Sequence, residues 1–111
     1  MSKLDDLLEN YQADLETVGE KVDLKFLRSV AMACGPVIYR KDASFVAVSG
    51  KGELEHIRQN FLVEKLGLKD SEKLDAGIGV VRKKYSKKMK HRVVFYYLLT
   101  KHFKKSSVLM G

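Results

Sequence analysis

Leu4, Leu7, Leu8, Tyr11, Leu15 and Val18 follow one another at steps of three, one, three, four and three. Residues three and four apart share a helical face, so this spacing predicts an amphipathic helix with one apolar stripe. Ser2 stands where an N-cap would, Asp5 falls in the first turn, and Gly19 suits the terminus. The stripe fits a helix packed into a core; the sharper alternative is a docking arm for a partner. Asp23 then caps a second predicted helix, with Leu24, Leu27, Val30, Ala31 and Cys34 inward. Gly35-Pro36 stops it, because proline supplies no backbone N–H to continue the ladder.

Pro36 to Ser49 is the only segment without helical period. Phe45, Ala47 and Ser49 alternate with Val46 and Val48, which predicts a short strand or extended stretch. One short strand forms no sheet alone and needs a second short segment. From Ser49 onward, Leu54, Ile57, Phe61, Leu62 and Leu66 mark a third amphipathic helix ended by Gly67. Its outer face carries Glu53, Glu55, Arg58, Glu64 and Lys65. Asp70-Ser71 caps a fourth helix with Leu74, Ile78, Val81 and Tyr85 on one side. Gly77 and Gly79 inside it each cost about 1 kcal/mol against alanine, which points to a close helix crossing or an irregular helix. A last helix is predicted from Ser86 or Lys87 to about Lys104. Its centre, Val93 to Leu99, is apolar on every side, as befits the middle of a core.

These elements describe an all-α chain: a compact multihelical single domain with about five main helices and room for one tiny strand pairing. Residues 1–20 form the N-terminal helix, 22–68 and 70–105 two helix–connector–helix units, and 106–111 a tail. A shift of 37 residues lays Ser49 on Ser86, Ile57 on Val94, Phe61-Leu62 on Leu98-Leu99 and Leu66 on Phe103, a weak internal echo of the two units.

A chain of 111 residues, 45% hydrophobic, is long enough for one domain with its own core. Its single cysteine, Cys34, cannot form an internal disulfide, which fits a reducing compartment. As a nucleophile it would need a base and a lowered pKa, and no neighbour in sequence offers either. The acidic start MSKLDDLLENY has no basic leader, and no apolar run reaches the roughly 20 residues of a membrane span. The expectation is a soluble cytoplasmic protein.

Charge changes the picture more. From residue 70 onward there are eleven bases and three acids, +8, so the rest of the chain sums to −1 of the net +7. The excess gathers in Arg82, Lys83, Lys84, Lys87, Lys88, Lys90 and Arg92, seven bases in eleven residues. Such a run repels itself, so it is the one candidate anion or nucleic-acid patch in the sequence. An acidic protein or anionic membrane surface would also suit it, and the plainest reading is a solvated lysine-rich turn between two helices. Only Tyr85 could offer a base a stacking face within the run, and no named nucleic-acid module is recognisable.

The segments GPVIYRKDASFVAVSGKGELEHIRQNFLVEKLGL and HRVVFYYLLTKHF resemble the DUF2853 family, short bacterial proteins of unknown function. Gly35-Pro36, Tyr39, Asp42, Glu53-Leu54, Phe61, Lys65-Leu66-Gly67 and Phe95 to Leu99 carry the likeness, which covers nearly the whole chain. It implies a multihelical fold similar in topology to a pair of EF-hand units and brings no activity. Calcium does not follow from that topology. The first connector offers only Asp42 before Glu53, and the second is basic, where a dication would be repelled.

No two of His56, His91 and His102 stand at metal-ligand spacing, and SGKGE lacks the length and trailing hydroxyl of a phosphate loop. The sequence therefore nominates no catalytic residue, metal ligand or cofactor. Its leading reading is a non-enzymatic binding or accessory protein. The alternatives are sequence-nonspecific nucleic-acid binding through 82–92 and a small-molecule enzyme without a recognisable motif. A pocket with two or more converging polar groups of strongly shifted pKa would count against a purely binding role.

Overall fold

In the computed structural model, which describes residues 3–40, 44–46 and 51–110, the helix α5 (Arg92–His102) runs through the middle. Val93 to Thr100 are all buried, as an all-round apolar helix must be. Thr100 is the polar exception, and its hydroxyl donates to the Tyr96 carbonyl at 2.7 Å. Around α5 pack α1 (Lys3–Thr17), α2 (Leu24–Cys34) and α4 (Glu72–Lys84). The helix α3 (Lys51–His56) continues without a break as a π-helix over Ile57–Val63, which packs on α4. Among the described residues the chain is all-α apart from one two-stranded antiparallel ladder, β1 (Phe45–Val46) with β2 (Lys90–His91).

The strand that needed a partner has one, and the partner lies in the basic run. Phe45 faces His91 and Val46 faces Lys90, so the segment before α3 and the segment before α5 are joined edge to edge. The alternation through Ala47, Val48 and Ser49 falls outside the described residues, as do Ser2, Asp42 and Gly50.

The start of the last helix is corrected by the same contact. α5 begins at Arg92, not at Ser86 or Lys87. The backbone N–H of His91 donates to the Tyr85 hydroxyl at 3.0 Å, and that of Arg92 donates to the Ser44 carbonyl at 2.7 Å. Ladder and tyrosine take the donors that an earlier helix would use. At the other end Lys104 adopts φ 56°, the chain turns, and residues 106–110, read as a tail, form a short helix α6 (Ser106–Met110) against α2.

Asp23 caps α2 as expected, its carboxylate accepting from the Phe26 N–H at 3.1 Å. The inner face differs by one residue. Leu24 is 55% exposed, and Phe26 is buried with its ring against Tyr97, centroids 4.8 Å apart. After Gly35, at φ 76°, the chain makes a 3-10 turn over Gly35–Tyr39 instead of extending at once. The two glycines of α4 separate in role. A Cβ on Gly77 would run into the Phe103 ring, so α4 and the end of α5 meet there, whereas one on Gly79 would meet nothing within 4 Å among the described residues. Among the described residues no helix is long and apolar enough to cross a membrane.

Candidate functional site

The seven bases do not share one role. Lys84 pairs with Glu20, and Lys87 Nζ lies 2.7 Å from Asp14 Oδ1. Lys90 is 7% exposed and donates to the Lys87 carbonyl at 2.6 Å, closing the turn from inside. Arg92 is turned inward at the head of α5. Arg82, Lys83 and Lys88 are exposed and, among the described residues, make no ion pair.

Asp14, on the buried face of α1, gathers the turn around itself. Its side chain is 7% exposed. It accepts from the Tyr85 hydroxyl as well as from Lys87, and His91 Nε2 stands 3.9 Å away. Burial, and then this hydrogen bond, pushes the Tyr85 phenol well above its ordinary value. The sequence carried one signal for Asp14: it sits three residues after Tyr11 and one before Leu15, on the apolar stripe itself.

Arg92 reaches a different neighbourhood. Its guanidinium lies 2.6 Å from Glu53 Oε1, donates to the Tyr96 hydroxyl at 2.9 Å, and is 12% exposed. Burial works against its charge, but Tyr96 and Glu53 outweigh burial and hold its pKa above the ordinary value. Glu53, placed by sequence on the solvated face of α3, instead points in toward this arginine. A helix period assigns faces but cannot foresee a buried counter-charge from another element.

Beside Arg92 opens a pocket of ≈ 330 Å³ between the end of α2, the α3–π-helix junction and α5. Cys34, His56, Asn60, Lys65, Arg92 and Tyr96 line it. Phe61 forms part of the wall and stacks on Tyr96, with ring centroids 4.0 Å apart and planes at 15°. Lys65 Nζ donates to the Ala33 carbonyl at 2.7 Å, so its ammonium is tied to the rim. His56 Nδ1 and the Asn60 amide are 2.7 Å apart. The i−5 bonds from Glu64 to Gln59 and from Leu66 to Phe61 widen the helix here, and π-turns of this kind are frequent at functional sites. Nothing in the sequence signals the π-helix.

Burial lifts the Cys34 thiol to about 12, although Arg92 and Lys65 both pull it down. Burial likewise lifts the Tyr96 phenol to about 12, against the pull of Arg92. Both groups are neutral at physiological pH. Arg92 and Lys65 bring two positive charges, Glu53 returns one, and Asn60 adds a neutral donor, so the pocket has the balance of a small-anion site. Among the described residues no three of His, Cys, Asp and Glu stand close enough to hold a metal ion.

No curated protein matches the chain. The family model for DUF2853, a protein of unknown function, matches residues 10–107. That span takes in Asp14, the paired connectors and every residue of the Arg92 pocket, and the chain belongs to the DUF2853 family.

Proposed function

We propose that this is a non-enzymatic binding protein that takes a small anionic molecule, such as a carboxylate or phosphate, in the pocket beside Arg92. The observation that carries the reading is the half-buried guanidinium, oriented by Glu53 and Tyr96 at the edge of a ≈ 330 Å³ pocket that Lys65 also lines. A fixed guanidinium and an ammonium in a partly desolvated cleft favour a compact negative charge. Cys34 and Tyr96 both line this pocket with pKa values raised by burial, the kind of pair that counts against a purely binding role. Both shifts, however, move away from the ionised, reactive form, which supports binding over catalysis.

Calorimetric titration of the full chain with orthophosphate, malonate and citrate tests the reading. One saturable site is expected, with affinity falling about tenfold in Lys65→Met, the loss of one charge-assisted contact. An absence of saturable binding, or equal affinity in the variant, contradicts it.

A second reading keeps nucleic acid as the partner, supported by the exposure of Arg82, Lys83 and Lys88. Changing these three to Glu leaves the Asp14 and Glu20 pairs untouched. Loss of salt-dependent DNA binding in that variant would favour this reading.

A further inference from the structure

A second cleft, of ≈ 500 Å³, opens between α2 and α6 and shares Ala33 and Lys65 with the Arg92 pocket. The two cavities therefore adjoin at Lys65, whose ammonium donates to the Ala33 carbonyl at 2.7 Å. Their chemistry differs on either side of that junction. The first is lined by Arg92, Asn60 and His56, whereas Met32, Val108 and Leu109 border the second. Leu109 packs against the core, but Met32 is 65% exposed and Val108 46%. Single exposed apolar residues are ordinary; two that border one cleft beside a cationic pocket mark a surface suited to an apolar group. Arg28 also borders this cleft, and its guanidinium faces Asp5 at 3.8 Å.

The charges on the polar side sum to one. Arg92 and Lys65 are positive, Glu53 is negative, and Cys34 and Tyr96 are neutral at physiological pH, so with the His56 imidazole uncharged the balance is a single positive charge. One negative charge on the ligand answers it. An ammonium carries three donors, and Lys65 uses one on Ala33, which leaves two for a carboxylate. The four-carbon stem of the same lysine offers apolar surface beside its charge, along which a chain can run toward α6.

We propose, resting on the anion reading above, that the ligand is an unbranched monocarboxylate of medium chain length. Its head lies between Arg92 and Lys65, and its chain passes over Ala33 against Met32, Val108 and Leu109. A bare inorganic anion fills only the first cavity, and an uncharged chain leaves the two cations unanswered.

The test titrates the full chain with acetate, octanoate and orthophosphate, read by calorimetry and amide chemical shifts, in wild type and in the double variant Met32→Asn with Val108→Asn. Both positions are exposed, so the variant keeps the fold, which its melting temperature checks. Octanoate is expected to bind about tenfold more tightly than acetate, the gain of roughly two buried methylenes. It moves the amides of Met32, Val108 and Leu109, which acetate leaves in place. In the double variant the octanoate preference falls to near parity. The proposal is overturned if the preference survives there, or if the protein sediments with phosphatidylglycerol vesicles while free octanoate moves none of these amides. Saturable orthophosphate binding with octanoate and acetate held equally would leave the anion pocket standing and overturn the chain assignment alone. No saturable binding of any of the three would overturn both.

Discussion

The Arg92 guanidinium meets the Glu53 carboxylate at 2.6 Å, joining the head of α5 to the first turns of α3. With 12% and 22% of their side chains exposed, the two sit between a buried pair and a surface pair. Glu53→Gln removes the charge but keeps an acceptor. It is expected to destabilise the protein by about 1–2 kcal/mol in denaturant melts and, by leaving Arg92 less compensated, to tighten anion binding. A variant that weakened both would separate the pair from the site.

Asp14 is the carboxylate on which the basic turn closes. Asp14→Asn leaves Tyr85 a poorer acceptor and Lys87 no counter-charge, and is expected to cost about 2–3 kcal/mol. Lys87→Ala, at a half-exposed end of the same pair, is expected to cost under about 1 kcal/mol. Equilibrium unfolding of the two variants checks the asymmetry.

The glycines of α4 give opposite signs. Gly79→Ala meets open space and is expected to gain about 0.5–1 kcal/mol from helix propensity. Gly77→Ala drives a methyl into the Phe103 ring, with His102 Cδ2 at 3.0 Å also in the way, and is expected to lose about 1 kcal/mol net. Melting temperatures should move up and down respectively.

Alkali is expected to unfold the protein through its buried phenols and thiol. Tyr11 and Tyr96 are raised from 10.0 to about 12, and Cys34 from 9.0 to about 12, each first of all by burial. The unfolded chain loses these protons first, so the stability they contribute is complete below the ordinary values and is lost as pH rises toward 12. At the acid end His91, held below 6.5 by burial, makes stability fall as pH drops through that value. Melting curves across pH, with tyrosinate absorbance recorded alongside, check both limbs.

Much of this architecture was legible in apolar spacing: α1, the Asp23 cap, α4 and the all-round burial of Val93 to Leu99 follow from helix period and capping chemistry. What period could not carry was contact between distant segments. The ladder that moved the start of α5 to Arg92 depends on two dipeptides far apart in sequence. The exposure of Leu24 and burial of Phe26 depend on Tyr97. The site was less legible than the fold. The charge run contained Arg92, but its density said nothing of which bases turn inward. Glu53, His56, Asn60 and Lys65 come to that arginine only through tertiary packing.

The most direct test of the anion-binding account is a chemical-shift map of orthophosphate titrated into the isotopically labelled protein. The account predicts saturable shifts confined to Cys34, His56, Asn60, Lys65, Arg92 and their immediate neighbours. Shifts centred instead on Arg82, Lys83 and Lys88, or no saturable shifts at all, would contradict it.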